Sequence, residues 1–243
     1  MNIDIFSYSN VGARPLNEDS YAVKNNEKRM VAVVCDGLGG HDCGEVASKI
    51  GVESIMSNIF EPAELDKEKI AAIVKKANLE IIKQQSQKAE QKGMRTTVVG
   101  CVVENNEITS FNCGDSRFYF FSDGELKNAS RDHSVSQMSV DMGEKTRDEI
   151  RFDRDRNKLL RVLGDKDSDE LATVYKPQKL KKGDAFLLCS DGFWEYVTEH
   201  EMEIDLAKSH NAHDWISYMI VRLLLQFSKE NDNFTVIGGI VKE

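Results

Sequence analysis

Long hydrophobic runs are missing from this sequence. No apolar stretch approaches the roughly 18 residues that a membrane-crossing helix needs, and the strongest one, at residues 219–221, is interrupted by Arg222. The first residues include Asp4, where a cleavable leader would be basic and then apolar. We therefore expect a soluble protein that stays in the cytoplasm and has no membrane partner.

Positive charge is also scarce. The sequence has 32 lysine and arginine residues against 41 aspartate and glutamate residues, for a formal net charge of −9 and a pI near 5.2. Binding to nucleic acid requires a basic face, so this balance argues against a nucleic-acid partner. An anionic substrate is still compatible with it, because bound metal cations reverse the local field of a carboxylate-rich site.

Cysteine is present at only five positions, and none of them form a CxxC pair. This pattern argues against a disulfide framework and against a zinc knuckle. Cys35, Cys101, Cys113 and Cys189 lie in apolar runs, and we predict that they are small buried residues.

Proline is rarer still, with three residues, and no Pro-rich linker, low-complexity segment or solenoid repeat interrupts the chain. The 243 residues are enough for one sizeable domain or for two small ones. Because no linker is visible, we predict a single domain over residues 1–243.

Secondary structure is indicated by the spacing of apolar residues. Runs rich in β-branched and aromatic residues predict strands at 3–8, 20–23, 30–35, 96–103, 108–113, 118–121, 185–189 and 234–241. Helical spacing predicts helices at 44–59, 66–91 and 214–228. The turn signals Asn25-Asn26 and Asp123-Gly124 favour hairpins, so the pattern is typical of an α+β fold and not of a doubly wound sheet.

One segment, at about residues 131–161, stands apart because positive and negative charges alternate densely along it. We interpret it as a charged, flap-like excursion that is solvated and lies beside the functional site. A plain exposed helix is an equally good interpretation of the same pattern.

Acidic residues follow or flank several predicted strands. Asp36, Asp115 and Asp191 come just after apolar runs, Asp232 precedes the last strand, and the pair Glu18-Asp19 precedes a short one. A single Asp-Gly is ordinary turn chemistry, but strands packed together place their ends in one plane, so several such carboxylates can converge. Converging carboxylates repel one another, and a divalent cation relieves that repulsion. Oxygen ligands without a histidine or cysteine cluster favour Mg²⁺ or Mn²⁺.

Arg14 lies four residues before Glu18 in a loop opened by Gly12. A lone arginine is usually the partner in a surface ion pair. Beside a metal site, however, a guanidinium holds the free oxygens of a phosphate in two-pronged fashion, so Arg14 is the candidate substrate-binding residue.

A series of motifs resembles a known family. The motifs are Arg14-Pro-Leu-Asn-Glu18-Asp19, Cys-Asp36-Gly37-Leu-Gly39-Gly40-His41, Gly44-Glu45-Val-Ala47-Ser48, Arg95-Thr96-Thr97, Cys-Gly114-Asp115-Ser116-Arg117, Asp132-His133-Ser134, Ser190-Asp191-Gly192-Phe-Trp194 and Asp232-Asn233-Phe-Thr235-Val. Together they resemble the metal-dependent type 2C (PPM) serine/threonine phosphatases in their compact bacterial form. They keep the order of that family from residue 12 to residue 237.

The resemblance implies a four-layer αββα sandwich of two antiparallel sheets flanked by helices. It also implies two central Mn²⁺ or Mg²⁺ ions and a metal-bridging hydroxide that hydrolyses phosphoserine or phosphothreonine. Expected partners are phosphoproteins and the serine/threonine kinase that the enzyme opposes, and the chain is expected to be a monomer. By position, Asp36 resembles the bridging ligand and an essential catalytic residue. The Gly37 carbonyl, Asp191 and Asp232 are the other expected direct ligands. Glu18 and Asp19 are expected to act mainly through water, and Asp115 resembles the ligand of a third ion.

Two positions depart from the family pattern. Leu38 stands where some eukaryotic members carry a histidine proposed as general acid, which leaves a metal-bound water or another group to donate the proton. His41 is a minor candidate, since a histidine after Gly-Gly more often stabilises a loop. Glu195 stands where relatives often carry aspartate, and this change is expected to loosen the third metal.

Three other functions compete with a protein phosphatase. A non-catalytic regulator of the same fold usually lacks some of the metal carboxylates, whereas all the central ones are present here. A hydrolase of small phosphate metabolites differs only in loops that the motifs do not cover. A calcium-binding structural module is disfavoured because no Asp-x-Asp-x-Asp-Gly loop occurs.

Overall fold

The computed structural model describes residues 2–38, 43–87, 91–166, 170–229 and 231–242. The strands are β1 (Ile3–Asn10), β2 (Ser20–Asn25), β3 (Arg29–Cys35), β4 (Gly37–Leu38), β5 (Arg95–Thr96), β6 (Val98–Glu104), β7 (Glu107–Cys113), β8 (Arg117–Ser122), β9 (Glu125–Ala129), β10 (Thr173–Val174), β11 (Gln178–Lys179), β12 (Ala185–Cys189) and β13 (Phe234–Val241). The helices are α1 (Gly44–Asn58), α2 (Lys67–Gln85), α3 (Val135–Asp141), α4 (Asp191–Trp194), α5 (Glu199–Lys208) and α6 (Ala212–Leu225), and a 3₁₀ turn spans Asp148–Phe152.

The strands form two antiparallel sheets. One has the order β1-β13-β12-β8-β9, and the other has the order β10-β7-β6-β3-β2, with β11 also paired to β7. A short ladder joins β4 to β5. Every strand predicted from the sequence is present, and the α+β class is confirmed. The predicted strand at 96–103 divides at Thr97, because the Thr97 N–H turns to donate to the Asp36 carbonyl at 2.8 Å.

Alternation along the central strands creates three apolar layers. In β3, Val31 and Val33 pack with the apolar faces of α1 and α2, while Ala32 and Val34 pack against the other sheet. A third cluster joins the outer face of the first sheet to α5 and α6, where Phe121 meets Trp215 edge to face at 5.4 Å between ring centroids. Three apolar layers between two sheets and two helical layers confirm the four-layer αββα sandwich.

The ends of the helices follow local hydrogen-bonding residues. The side chain of Asp66 accepts from the Lys69 N–H and begins α2, which ends at Gln85 and not at residue 91 as predicted. The sequence after Ile82 carries almost no apolar residues, so a longer helix would have no face to bury. Helix α5 is not predicted from apolar spacing, although the Thr198–Glu201 capping box marks its start.

The charged excursion at 131–161 is less solvated than its charge pattern suggests. It contains α3 and the 3₁₀ turn, in which Ile150 is fully buried while Phe152 is 84% exposed. Arg147 donates to the Ser130 carbonyl at 2.9 Å, and Arg151 pairs with Glu199 at 2.5 Å. These contacts attach the central turn of the excursion to the sandwich, and the flap-like character of the whole segment stays a prediction.

Within the described part of the chain, no helix combines the length and the apolar character that crossing a bilayer requires.

Candidate functional site

The acidic residues singled out in the sequence meet at one end of the sandwich. Asp36 follows β3, Asp191 opens α4 two residues after the last residue of β12, and Asp115 lies in the β7–β8 turn. These three line a cleft of about 510 Å³ together with Arg14, Glu18, Gly37, Asp232 and several uncharged residues. The structure therefore brings together strand ends that are up to about two hundred residues apart in the chain.

The backbone around Asp36 is held by two threonines. The Asp36 carbonyl accepts from the Thr97 N–H and from the Thr96 hydroxyl, both at 2.8 Å, and the Asp36 N–H donates to the Thr97 hydroxyl at 3.1 Å. The Thr97 hydroxyl in turn lies 2.7 Å from the Ser116 hydroxyl. This network fixes the end of β3 against the turn that carries Asp115.

Asn233 fastens the loop that carries Arg14. Its side-chain oxygen accepts from the Glu18 N–H at 2.7 Å, and its amide donates to the carbonyls of Val11 and Leu16 at 2.8 and 2.9 Å. Gly12 completes the fit, because it has φ +61° and a side chain there would lie 2.0 Å from the Asp232 carbonyl oxygen.

We expect Asn233→Ala to lower the free energy of unfolding by about 2–3 kcal/mol, because three part-buried hydrogen bonds are lost together. Urea denaturation measures this cost. Asn128→Ala, at an exposed position on β9, is the matched control and should change stability by less than about 0.5 kcal/mol. A cost for Asn233→Ala that equals the control would show that the loop is held by other contacts.

Burial raises the pKa of several acids that line the cleft and of Asp19, which is not among the described lining residues. For Asp19 the pKa rises to about 6, because burial outweighs the hydrogen bonds from Thr235 and Ser190. For Asp115 it rises to about 7, through burial and the nearby Asp132 carboxylate. Burial also raises the pKa of Asp36 and of Asp191 well above the ordinary range, and neighbouring carboxylates add to the effect. Without a cation, this end of the sandwich opposes the ionisation of its own acids.

Arg14 is the one cation that lines the cleft among the described residues. Its guanidinium Nη2 lies 2.8 Å from Asp232 Oδ2, and the two side chains are 54% and 40% exposed. The exposed ion pair expected of a lone arginine is therefore present, but its partner is an acid of the cleft itself.

Asp115 is fixed from behind by a buried network that the sequence motifs do not reveal. Trp194 Nε1 donates to the Asp115 carbonyl at 3.0 Å, and the Arg117 guanidinium stacks 3.5 Å from the Trp194 ring. Arg117 is itself held by Asp132 through two hydrogen bonds of 2.9 and 2.7 Å. Only the folded chain brings these residues together, so spacing in the sequence carries no signal for them.

The acids at this end of the sandwich offer oxygen atoms that could bind a metal ion. In the described ranges, no three histidine, cysteine, aspartate or glutamate side chains lie together as a ready-made metal site. One buried atom, Asp19 Oδ1, has no hydrogen-bond partner, while Asp19 Oδ2 accepts from the Ser190 hydroxyl at 2.8 Å. An all-oxygen donor set beside a buried, unpartnered carboxylate oxygen fits a hard divalent cation, which relieves the repulsion among these acids.

Comparison with known proteins decides the family. The family model described as Protein phosphatase 2C matches residues 8–224. The chain belongs to the protein phosphatase 2C family. The serine/threonine phosphatase stp of Listeria welshimeri is 32% identical over 228 residues, which cover 91% of this chain and 88% of that protein.

Solved structures agree with the phosphatase 2C assignment. The serine/threonine phosphatase Stp1 from Staphylococcus aureus superposes with a TM-score of 0.88 at 27% identity, covering 100% of this chain and 96% of that one. The catalytic domain of PstP, solved in complex with two manganese ions, superposes with a TM-score of 0.82 at 27% identity, covering 99% of both chains.

As a member of the phosphatase 2C family, the protein is a metal-dependent serine/threonine phosphoprotein phosphatase. Mn²⁺ or Mg²⁺ is its cofactor, as the manganese complex of PstP supports. The sequence-based family assignment, the enzyme class and the cofactor are therefore confirmed.

The positions that depart from the phosphatase 2C pattern lie in different surroundings. Leu38 lines the cleft, so an apolar side chain occupies the place where some members carry histidine. His41 lies outside the described residues. Glu195 accepts two hydrogen bonds from Arg156 of the excursion, one from Nε and one from Nη2, the latter at 3.2 Å. In this chain the Arg156 guanidinium is therefore the partner of Glu195.

Sequence reasoning also missed two residues that line the cleft from the excursion, Asn157 and Leu159. Leu159 pairs with Ser134 in an isolated bridge, which turns this part of the excursion back toward the sandwich. Both residues lie among densely spaced charges, so nothing in the local sequence indicates that they line the cleft.

Proposed function

We propose that this phosphatase hydrolyses phosphoserine and phosphothreonine in proteins at the acid-lined cleft, with two central divalent cations. The observation that supports this most is that Asp36, Asp115 and Asp191 line one cleft and have raised pKa values, while Arg14 is the only cation lining it among the described residues. When bound, two such cations activate a water for attack on phosphorus.

Each acid receives a proposed role from its place in the cleft. Burial raises the pKa of Asp36, and the nearby carboxylates of Asp191, Asp19 and Asp115 raise it further, so Asp36 lies among these acids and we assign it the ligand position that both cations would share. The Gly37 carbonyl, Asp191 and Asp232 would complete the central set. Glu18 and Asp19 would contribute through water, and Asp115 would hold a third, weaker ion.

Arg14 orients the phosphoryl group. Its guanidinium is half exposed in the cleft, and Asp232 is its one partner among the residues that the structure describes, so it can turn its remaining N–H groups toward an anion. Its contribution is positioning and charge balance, which are the main means of catalysis in phosphoryl transfer.

We expect Arg14→Ala to raise KM for p-nitrophenyl phosphate about ten- to a hundredfold with a smaller change in kcat, because a charged hydrogen-bonding pair is lost. Steady-state kinetics in saturating Mn²⁺ measures this. Arg14→Lys is the matched control and should give an intermediate KM, since it keeps the charge but loses the planar fork. An unchanged KM in Arg14→Ala would place this arginine outside the substrate site.

The substrate class is tested by comparing phosphoserine peptides with free sugar phosphates in Mn²⁺, and again after EDTA. We expect peptide hydrolysis that EDTA abolishes. Preferential hydrolysis of the sugar phosphates would favour a metabolite phosphatase instead, and no activity with any phosphoester would favour a non-catalytic regulator.

We further propose that the substrates are products of a serine/threonine kinase. The Listeria and mycobacterial relatives are named serine/threonine phosphatases, and a serine/threonine kinase makes the phosphoesters that such enzymes remove. Release of phosphate from an autophosphorylated bacterial kinase tests this. The monomeric state and the cytoplasmic location remain predictions, the first of which size-exclusion chromatography checks.

A further inference from the structure

The catalytic cleft is not lined by polar groups alone. Pro15, Leu16, Leu38 and Leu159 also line it, and we call these four residues the apolar rim. They come from three separate segments, namely the β1–β2 loop, strand β4 and the excursion. Leu16 is 49% exposed, although it stands beside the acids that carry the chemistry.

The apolar rim is built on fixed backbone. The Leu16 carbonyl accepts from the Asn233 amide at 2.9 Å, and Asn233 also holds the Glu18 N–H. At the other side, Leu159 forms a bridge with Ser134, and the next residue donates to the His133 carbonyl at 2.7 Å. Covering an exposed apolar surface is favourable, and a rigid backbone loses little conformational entropy when the surface is covered. Such a surface is therefore typical of a binding site.

The position of the rim limits what covers it. Leu16 lies two residues after Arg14 in the same short loop, and both line the cleft, so a substrate whose phosphate reaches Arg14 brings its neighbouring groups beside Leu16. The covering group is therefore the part of the substrate next to the phosphorylated residue.

The charge of the cleft limits the chemistry of that group. Among the described lining residues, Arg14 is the only lysine or arginine, and Asp232 already pairs with it. An acidic flanking residue finds no second cation there. A basic one competes with the divalent cations for the acids. An apolar side chain meets Leu16 and Leu159 without either conflict.

We propose that the apolar rim binds an apolar side chain adjacent to the phosphorylated residue, so that the enzyme selects phosphosites flanked by Leu, Ile, Val or Met. This inference rests on the proposed protein phosphatase activity. It names the substrate class of that same cleft.

The test uses four phosphothreonine peptides that differ only in the residues flanking the phosphothreonine, which are Leu, Ser, Glu or Lys. The Mn²⁺-loaded enzyme is assayed by phosphate release for kcat/KM. We expect the Leu peptide to exceed the Ser peptide roughly tenfold, since one well-placed apolar group in a pocket discriminates by about that factor. The Glu and Lys peptides should be no better than the Ser peptide.

Variants then assign the preference to the rim. Leu16→Ser and Leu159→Ser should each reduce the Leu-to-Ser peptide ratio toward one. Leu225→Ser is the matched control, because Leu225 is 82% exposed at the end of α6 and does not line the cleft. It should keep the full ratio, and thermal melts should show that all three variants are folded.

Several results would overturn the inference. They are equal kcat/KM for the four peptides, a preference for a charged flank, or a Leu preference that survives in both rim variants. If p-nitrophenyl phosphate is hydrolysed and none of the peptides is, the proposed protein phosphatase function fails as well, which distinguishes the two failures.

Discussion

Replacing Asp36 or Asp191 with asparagine is expected to lower phosphoester hydrolysis at least about 10³-fold while the fold is kept. Both carboxyls line the same cleft, and the pKa of Asp36 is raised by burial and then by the Asp191 carboxylate, so the two charges act on one site. Removing either charge weakens cation binding and the several kcal/mol of charge stabilisation that bound cations supply, and each 1.4 kcal/mol is tenfold in rate.

The measurement is kcat/KM with p-nitrophenyl phosphate in saturating Mn²⁺, with circular dichroism to confirm folding. Asp123→Asn is the matched control, because Asp123 is an exposed turn residue with φ +56°, a conformation that asparagine also adopts. The control should keep full activity. Near-normal rates in Asp36→Asn and Asp191→Asn would show that the metal centre lies elsewhere.

The second large effect is on stability, because the metal-free protein should become less stable as the pH rises from about 4 to about 7. Asp115 has its pKa raised from 3.8 to about 7, and Asp19 has its pKa raised from 3.8 to about 6. In this window the folded state binds more protons than the unfolded state, so rising pH favours unfolding. At about 1.4 kcal/mol per pKa unit, Asp115 alone accounts for about 4 kcal/mol and Asp19 for about 3 kcal/mol.

His133 acts in the opposite direction. Burial lowers the pKa of His133 from 6.5 to about 4, with a further contribution from Arg161. Between these values the unfolded state binds the extra proton, so His133 adds about 3 kcal/mol of stability as the pH rises through this range. The acids prevail, because the raised pKa values of Asp36 and Asp191 add to those of Asp19 and Asp115.

Urea denaturation of EDTA-treated protein between pH 5.5 and pH 8 checks this balance. We expect the free energy of unfolding to fall by a few kcal/mol across that range and Mn²⁺ to restore it at pH 8, since a ligand of the folded state stabilises it. Asp115→Asn should flatten the profile. A metal-free profile that rises with pH would show that the folded protein does not raise the pKa values of these acids.

Much of the fold was predictable because local patterns of apolar residues indicate its strands and long helices. Strands such as β3 and β12 are unbroken apolar runs, and the acids that follow them converge because strand ends of packed sheets meet. The resemblance to the phosphatase family added the four-layer arrangement, which no single run of residues indicates.

Most features that the sequence did not reveal depend on contacts between distant segments. Leu159 reaches the cleft only because the excursion folds back, and Glu195 finds Arg156 of that same segment. The indole of Trp194 reaches the Asp115 carbonyl through a turn that spacing cannot position. Helix α5 was not predicted because its apolar face is short, although its capping box is a local signal.

The most direct test of the proposed metal centre is anomalous diffraction from crystals soaked in Mn²⁺. We predict two strong peaks in the cleft, both in contact with Asp36, with Asp191 and Asp232 completing the coordination and Asp115 beside any third peak. The absence of manganese from the cleft, or a single ion on one solvated carboxylate, would contradict a two-cation mechanism.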